Sequence, residues 1–364
     1  MKKVFVGLSG GVDSAVSAAL LRAAGYEVTG VFIKVWSPDF LPCTWRDERR
    51  DAMRVAIKLD IPFLFFDLEE EYKKGVADYM IEEYKNGRTP NPDVLCNREI
   101  KFGAFWKKAN EMGADFIATG HYAQITPLAP SYSKRGIQGG VSMLEGKDKE
   151  KDQSYFLWTL TQEDLSHVLF PIGHLEKSEV RKLAKKFNIP VSEKKDSQGI
   201  CFLGDVNLED FLSHFIETVP GKVLNTKGEV IGEHNGALYY TLGERHGFEV
   251  TQKETNSKPF YVISKDINTN TITVSNDPIE ISTHSPKEIH IEKINWINKL
   301  EPSTKNLEAR IRYRQKKFKV TLEGDKVIFD APQTATSGQS IVFYLPADSV
   351  EGDGNICLGG GIII

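Results

Sequence analysis

The 364-residue chain predicts an α/β fold, a doubly wound parallel sheet, followed by a small β-rich central domain and a C-terminal β-barrel. Three observations predict it. Strand and helix patterns alternate through residues 1–120, the order that places parallel strands in a sheet covered by helices. A short apolar strand, Val4-Phe5-Val6, runs directly into a glycine turn and then a helix. After about residue 206 the helical periodicity gives way to short alternating strands separated by turn residues, the spacing of small β modules. The divisions expected are 1–205, 206–280 and 281–364.

The elements follow in order. Ala15, Val16, Ala18, Ala19, Leu20 and Leu21 mark the first helix, and Gly25 closes it. Val28 to Val35 reads as a strand. Arg46 to Leu59 reads as a helix, with Ala52, Met53, Val55, Ala56 and Leu59 near one face. Pro62 to Leu68 is a nearly continuous apolar strand and Glu69 to Tyr84 a helix. A Pro/Asn/Gly loop spans 86–97, a helix Glu99 to Glu111, and a strand Asp115 to Thr119. The Pro, Ser, Gly and Lys of 126–150 predict a flexible loop. Helical segments resume at 161–168, 176–187 and Leu208 to Glu217. Beyond them, Ile272 and Val274 alternate with Thr271, Thr273 and Ser275, and Asn268 to Asn270 and Gly324-Asp325 predict hairpin turns.

The turn after the first strand carries the chemistry. Gly7-Leu8-Ser9-Gly10-Gly11-Val12-Asp13-Ser14 brings backbone N–H groups and a helix N-terminus to one place, where an anion is favoured. Gly10 and Gly11 let phosphate oxygens approach the backbone, and Ser9 and Ser14 add hydroxyls. Asp13 fits such a cradle only if a cation stands between it and the phosphates. The Gly-Lys-Ser/Thr ending of a Walker loop is absent, and so is Gly-x-Gly-x-x-Gly. The segment resembles the PP-loop, Ser-Gly-Gly-x-Asp-Ser, of ATP pyrophosphatases, which split ATP between the α- and β-phosphates and transfer AMP to an oxygen. The alternative is an ordinary strand-to-helix turn. Ligands of open α/β sheets sit outside the carboxyl ends of the strands. Ser9–Ser14 and Gly120-His121 both follow strand ends and so are expected in one crevice.

Composition narrows the remainder. No apolar run approaches a membrane span, and the apolar stretch after Met1-Lys2-Lys3 is too short for a secretory signal. The expected location is cytoplasmic, with no membrane partner. A net charge of −4 argues neither for nor against RNA, because a binder of that total concentrates its basic residues locally. The four cysteines, Cys43, Cys96, Cys201 and Cys357, form no Cys-x-x-Cys pair, which argues against structural zinc. The eight histidines form no spaced pair, so a metal site rests on Mg²⁺ accompanying ATP.

Two cysteines sit in dense polar motifs. Cys96 follows Pro90 and Pro92 and precedes Asn97, a candidate helix N-cap. A thiol at a helix N-terminus has a stabilised thiolate; read alone, Cys96 is more readily a buried small hydrophobe. Cys201 follows Lys194, Lys195 and Gly199, and a core thiol between Ile200 and Phe202 is the alternative. Cys357, between Ile356 and Leu358, reads as packing, and Cys43 stays undecided. On a strand, Arg310, Arg312, Arg314 and Lys316 share one face. That row suits a phosphate backbone or is a solvated barrel face.

Taken together the chain resembles the tRNA-specific 2-thiouridylases, the MnmA family. The resemblance rests on residues 7–14, on Gly-Arg-Thr-Pro-Asn-Pro-Asp-Val-Leu-Cys-Asn (87–97) and on Ala-Thr-Gly-His-Tyr-Ala (118–123). It rests also on Lys-Asp-Gln-Ser-Tyr-Phe-Leu (151–157), Lys-Lys-Asp-Ser-Gln-Gly-Ile-Cys-Phe (194–202), Arg-Tyr-Arg (312–314), Ser-Gly-Gln-Ser-Ile-Val-Phe-Tyr (337–344) and Cys-Leu-Gly-Gly-Gly-Ile-Ile (357–363). The resemblance implies that Gly7, Leu8, Ser9, Gly10, Gly11, Val12, Asp13, Ser14, Ile33 and Gly120 hold ATP with Mg²⁺. It implies that Asn91, Pro92 and Asp93 meet a flipped uridine, and that His121, Lys151, Asp152, Gln153, Arg312, Tyr313 and Gln339 contact tRNA. Cys96 would be the nucleophile and Cys201 the persulfide carrier, with a transient disulfide between them and Asp13 serving AMP transfer. The partners implied are tRNAs of the Lys, Glu and Gln type and a persulfide donor. An amidating ligase or a nucleotide-regulated RNA binder would carry the same ATP loop, and the two thiols discriminate against both.

Overall fold

The computed structural model describes residues 1–41, 44–127, 140–195, 208–251, 258–298, 307–345 and 355–364. Cys43 and Cys201 lie outside them. Seven strands come first: β1 (Lys3–Gly7), β2 (Glu27–Lys34), β3 (Phe63–Asp67), β4 (Phe116–Ala118), β5 (Ala123–Pro127), β6 (Val141–Glu145) and β7 (Val168–Leu169). Five of them form an all-parallel sheet in the order β3-β2-β1-β4-β7. The pleat sorts β1 between two cores. Val4 and Val6 pack with helices α1 (Val12–Ala23) and α2 (Trp45–Lys58) and with Val180 and Ala184. Phe5 packs on the other face with Tyr72, Phe102 and Phe105. That two-sided cover is the doubly wound arrangement expected.

The central module is a second sheet of β8 (Gly221–Leu224), β9 (Val230–His234), β10 (Phe248–Val250), β11 (Tyr261–Asp266) and β12 (Thr271–Ser275), ordered β10-β9-β8-β12-β11. The C-terminal module comprises β13 (Glu288–Trp296), β14 (Leu307–Arg310), β15 (Phe318–Glu323), β16 (Lys326–Phe329), β17 (Ser340–Leu345) and β18 (Ile356–Ile363). They run β13-β16-β15-β14-β17-β18, and β18 pairs back to β13, closing a six-stranded barrel. Both hairpin turns lie where expected, between β11 and β12 and between β15 and β16.

Two expectations are corrected. Residues 126–150 are not all loop: β5 and β6 pair with each other, and β6 joins β18 on the barrel. The turn-forming composition of the neighbouring residues hid a strand covered on both faces, with Leu144 in the barrel core and Met143 in the core of the first domain. The second correction concerns Arg310–Lys316. β14 ends at Arg310 and the chain turns, with Arg314 in the left-handed region at φ 61°. The basic residues therefore do not share a strand face.

The barrel wall is also the domain seam. β17 and β18 are buried throughout. Ile341, Phe343, Ile356 and Leu358 fill the barrel, whereas Val342, Tyr344 and Cys357 pack into the first domain. Cys357 is thus a packing residue, and burial pushes its thiol well up. Among the described residues no helix is long and apolar enough to cross a membrane.

His121, His167 and His234 are buried, and burial lowers the pKa of each below the ordinary 6.5. The unfolded chain takes up these protons first as pH falls, so stability is full above pH 6.5 and is lost below it. Each imidazole adds a slope of at most ~1.4 kcal/mol per pH unit. Thermal midpoints at pH 7.5, 6.5 and 5.5 check this: a falling series is expected, and a flat one means the native imidazoles protonate freely.

Candidate active site

β1 delivers the chain to Ser9, and α1 begins at Val12 with Gly11 as its cap. No side chain caps that helix, one of the ends at which helical N–H groups lack an intrahelical partner. Gly10 has φ 73°, and a Cβ there would stand 2.5 Å from the Glu48 carbonyl oxygen. The Ser14 hydroxyl accepts from Ser9 N at 3.2 Å and donates to the Gly11 carbonyl at 3.3 Å, which fixes the loop. Gly120, at the end of the neighbouring β4, lies against the backbone of Asp13 and Ser14. Ile33 approaches Gly7 from β2. The two strand ends share one crevice, as expected.

Asp13 has its cation. Lys177 Nζ lies 2.7 and 2.8 Å from the two carboxylate oxygens, and the Tyr122 hydroxyl donates to Asp13 at 2.8 Å. Lys194 Nζ donates to the Gly10 carbonyl at 3.1 Å and to Asp51 at 2.9 Å. Sequence reasoning missed Lys177 and Tyr122. The unbalanced charge of Asp13, which calls for a cation, is their only signal in the sequence.

The segment around Cys96 starts earlier than expected. Asn91 is the N-cap: its Oδ1 accepts from Asp93 N at 3.2 Å and Val94 N at 3.3 Å. Pro92 takes the first helical position, where its missing N–H costs nothing. The helical run Pro92–Leu95 continues as a wider π-type turn over Cys96–Ala104. Cys96 therefore stands inside the helical run, not ahead of its cap. It is 1% exposed and packs with Leu95, Ile100 and Phe102. Phe105 shares that core and also touches the Gly7 position, which links the thiol's helix to the nucleotide loop. The adjacent Asn97 donates to the Phe156 carbonyl at 2.9 Å, and the Phe156 ring lies 4.6 Å from that of Tyr313.

The expected RNA-contacting residues fall into two groups. Lys151 and Tyr313 are half-buried at the surface, and Arg314 donates to the Glu150 carbonyl at 3.0 Å, drawing the two segments together. Others are engaged internally. Asp152 is 1% exposed and accepts from Gly146 N, Ser154 N, Ser154 Oγ and Arg310. Gln153 accepts from Tyr122 N at 3.0 Å. His121 is 6% exposed, packed against the rings of Phe102 and Phe170, with Nδ1 at 2.6 Å from the Thr119 hydroxyl. Arg312 reaches across to the Leu242 carbonyl at 2.5 Å. Gln339 donates to the Thr89 carbonyl at 3.0 Å.

A glycine turn that opens a helix at the carboxyl edge of a parallel sheet, with an aspartate and lysine beside it, defines a nucleotide-binding protein of the PP-loop class. Residues 2–205 match the family described as tRNA methyl transferase HUP domain, 209–276 its PRC-barrel domain, and 286–363 the aminomethyltransferase beta-barrel domain. A tRNA-specific 2-thiouridylase MnmA of Streptococcus mutans is 43% identical, over 99% of this chain and 95% of its own. The protein of that name from Pseudomonas fluorescens Pf0-1 is 44% identical over 100% of this chain and 94% of its own. That of Listeria monocytogenes is 41% identical over 99% and 94%. The chain belongs to the tRNA-specific 2-thiouridylase family.

Proposed function

We propose that the protein replaces the C2 oxygen of the wobble uridine, position 34, of tRNA with sulfur, at the expense of ATP. The observation that carries the reading is a PP-loop crevice joined through one aromatic core to the helix bearing Asn91, Pro92, Asp93 and Cys96. The matched domain families are named for methyl transfer, whereas an ATP-type loop joined through one core to a cysteine-bearing segment suits activation and sulfur transfer.

The chemistry is balanced as follows. The uracil C2 oxygen attacks the α-phosphorus; an O–P bond forms, the bond to the β-phosphate oxygen breaks, and pyrophosphate leaves with the electron pair. Backbone donors of 9–14 and Lys177 stabilise the charge gathered there. Mg²⁺ bound with ATP would offset phosphate charge, with Asp13 the carboxylate nearest the loop. A persulfide on Cys201 then supplies sulfur. Its terminal sulfur attacks C2 and AMP leaves, after which Cys96 attacks the Cys201 sulfur and frees the thiocarbonyl. Alternatively Cys96 attacks first and releases hydrosulfide in place. Both routes leave a Cys96–Cys201 disulfide for an external reductant. The base leaves its stack at a cost of ~a few kcal/mol, offset by contacts from Lys151, Tyr313 and the barrel. The substrates proposed are tRNAs of the Lys, Glu and Gln type, the donor a persulfide-bearing protein, and the location the cytoplasm.

Incubation with ATP, a persulfide source and bulk tRNA, followed by nucleoside mass spectrometry, tests the proposal. The expected products are 2-thiouridine and AMP. AMP release without thiolation, or thiolation without ATP, overturns it.

A further inference from the structure

The three modules meet at Thr89, which is 4% exposed. Its N–H donates to the Ser337 carbonyl at 2.9 Å, its carbonyl accepts from Gln339 Nε2 at 3.0 Å, and its hydroxyl lies 3.3 Å from that of Thr241 in the central module. Between those barrel residues, Gly338 has φ 90°, and a Cβ there would stand 2.8 Å from Thr89 N and 2.9 Å from its carbonyl carbon and oxygen. The barrel side of this contact is itself held. Ser340 accepts from Trp158 Nε1 at 3.0 Å through its hydroxyl and from the Tyr155 hydroxyl at 2.9 Å through its carbonyl. On the other side, Thr89 stands just before Pro90 and Asn91, the cap of the helical run that ends in Cys96.

We infer that Gly338 and Gln339 are positioning residues: the Ser337–Gln339 tip of the barrel sets the register of Asn91–Asp93 and Cys96 through the Thr89 backbone. Docking of RNA on the barrel is thereby coupled to placement of the base and the thiol. The coupling rests on the function proposed above. Its contacts are to backbone atoms of Thr89, so the identity of that side chain matters less than the glycine opposite it.

The test compares Gly338→Ala, Gln339→Ala and Thr89→Val. Each is read for single-turnover thiolation, tRNA affinity and alkylation of Cys96 by iodoacetamide, mapped by peptide mass. In Gly338→Ala, thiolation is expected to fall on the order of 10²-fold while tRNA affinity stays within about twofold, the signature of misplacement rather than lost binding. Gln339→Ala falls less, Thr89→Val stays near the parent rate, and Cys96 alkylates faster in the first two. Parent-like thiolation in both barrel variants overturns the inference, and so does tRNA affinity lost in step with activity. If Gly338→Ala does not fold, Gln339→Ala, which adds no atom, decides. A parent protein that makes no 2-thiouridine refutes the function alone. The alkylation rates still report whether the barrel tip places Cys96.

Discussion

Cys96→Ser removes 2-thiouridine formation, by on the order of 10³-fold or more, while ATP binding survives. A serine hydroxyl does not ionise near neutral pH and cannot attack a persulfide sulfur. The nucleotide loop lies across the aromatic core from this position and keeps its own hydrogen bonds. Because Cys96 is buried among Leu95, Ile100 and Phe102, the hydroxyl also costs some stability, on the order of 1–3 kcal/mol if unpaired. The assay therefore pairs with a melting curve. Cys201→Ser gives the same loss on the scheme proposed. Cys357→Ser is the control: that thiol is buried in the seam between barrel and first domain, so its loss lowers the melting midpoint and leaves thiolation in the surviving protein. Full activity in Cys96→Ser removes the two-thiol scheme.

What the sequence made legible was local. Val4-Phe5-Val6, the glycine turn and the Ala-rich helix obey short-range rules, and β1, Gly10 and α1 form as those rules require. The start of the Cys96 helix is equally local, yet it lies at Asn91, ahead of the Asn97 cap that the sequence suggests. Two prolines suggested a loop, although Pro92 after Asn91 is also a favourable helix opening. Other features were not readable, because the deciding partner is far along the chain. Lys177 meets Asp13 across 164 positions and Gln339 meets Thr89 across 250. Alternation predicted an exposed basic face at Arg310–Lys316. Arg310 instead turns inward because Glu145 and Asp152, 165 and 158 positions away, are buried beside it.

Arg310→Met destabilises the protein by ~3–5 kcal/mol, the cost of leaving a buried charge without its partner. The guanidinium is 8% exposed, ion-pairs with Glu145, lies 3.2 Å from Asp152, and stacks 4.7 Å over the Tyr344 ring. Both carboxylates are 2% exposed or less, and Lys317, 3.0 Å from Glu145, and Lys149, 3.5 Å from it, remain to offset them. Burial and the neighbouring Glu145 already push the Asp152 carboxyl up, so removing the cation favours its protonation further. The loss reaches the active site by a continuous path. Asp152 pins the 152–154 turn, Gln153 holds the Tyr122 backbone, and the Tyr122 hydroxyl donates to Asp13. Urea denaturation measures the stability, and the KM for ATP reports the path, with a rise expected. Arg310→Lys keeps the charge but not the two-pronged contact and falls between. Adding Glu145→Leu and Asp152→Asn to Arg310→Met recovers much of the stability, because the charges are then removed together. Equal stability of Arg310→Met and the parent would mean that water, not the guanidinium, satisfies these carboxylates.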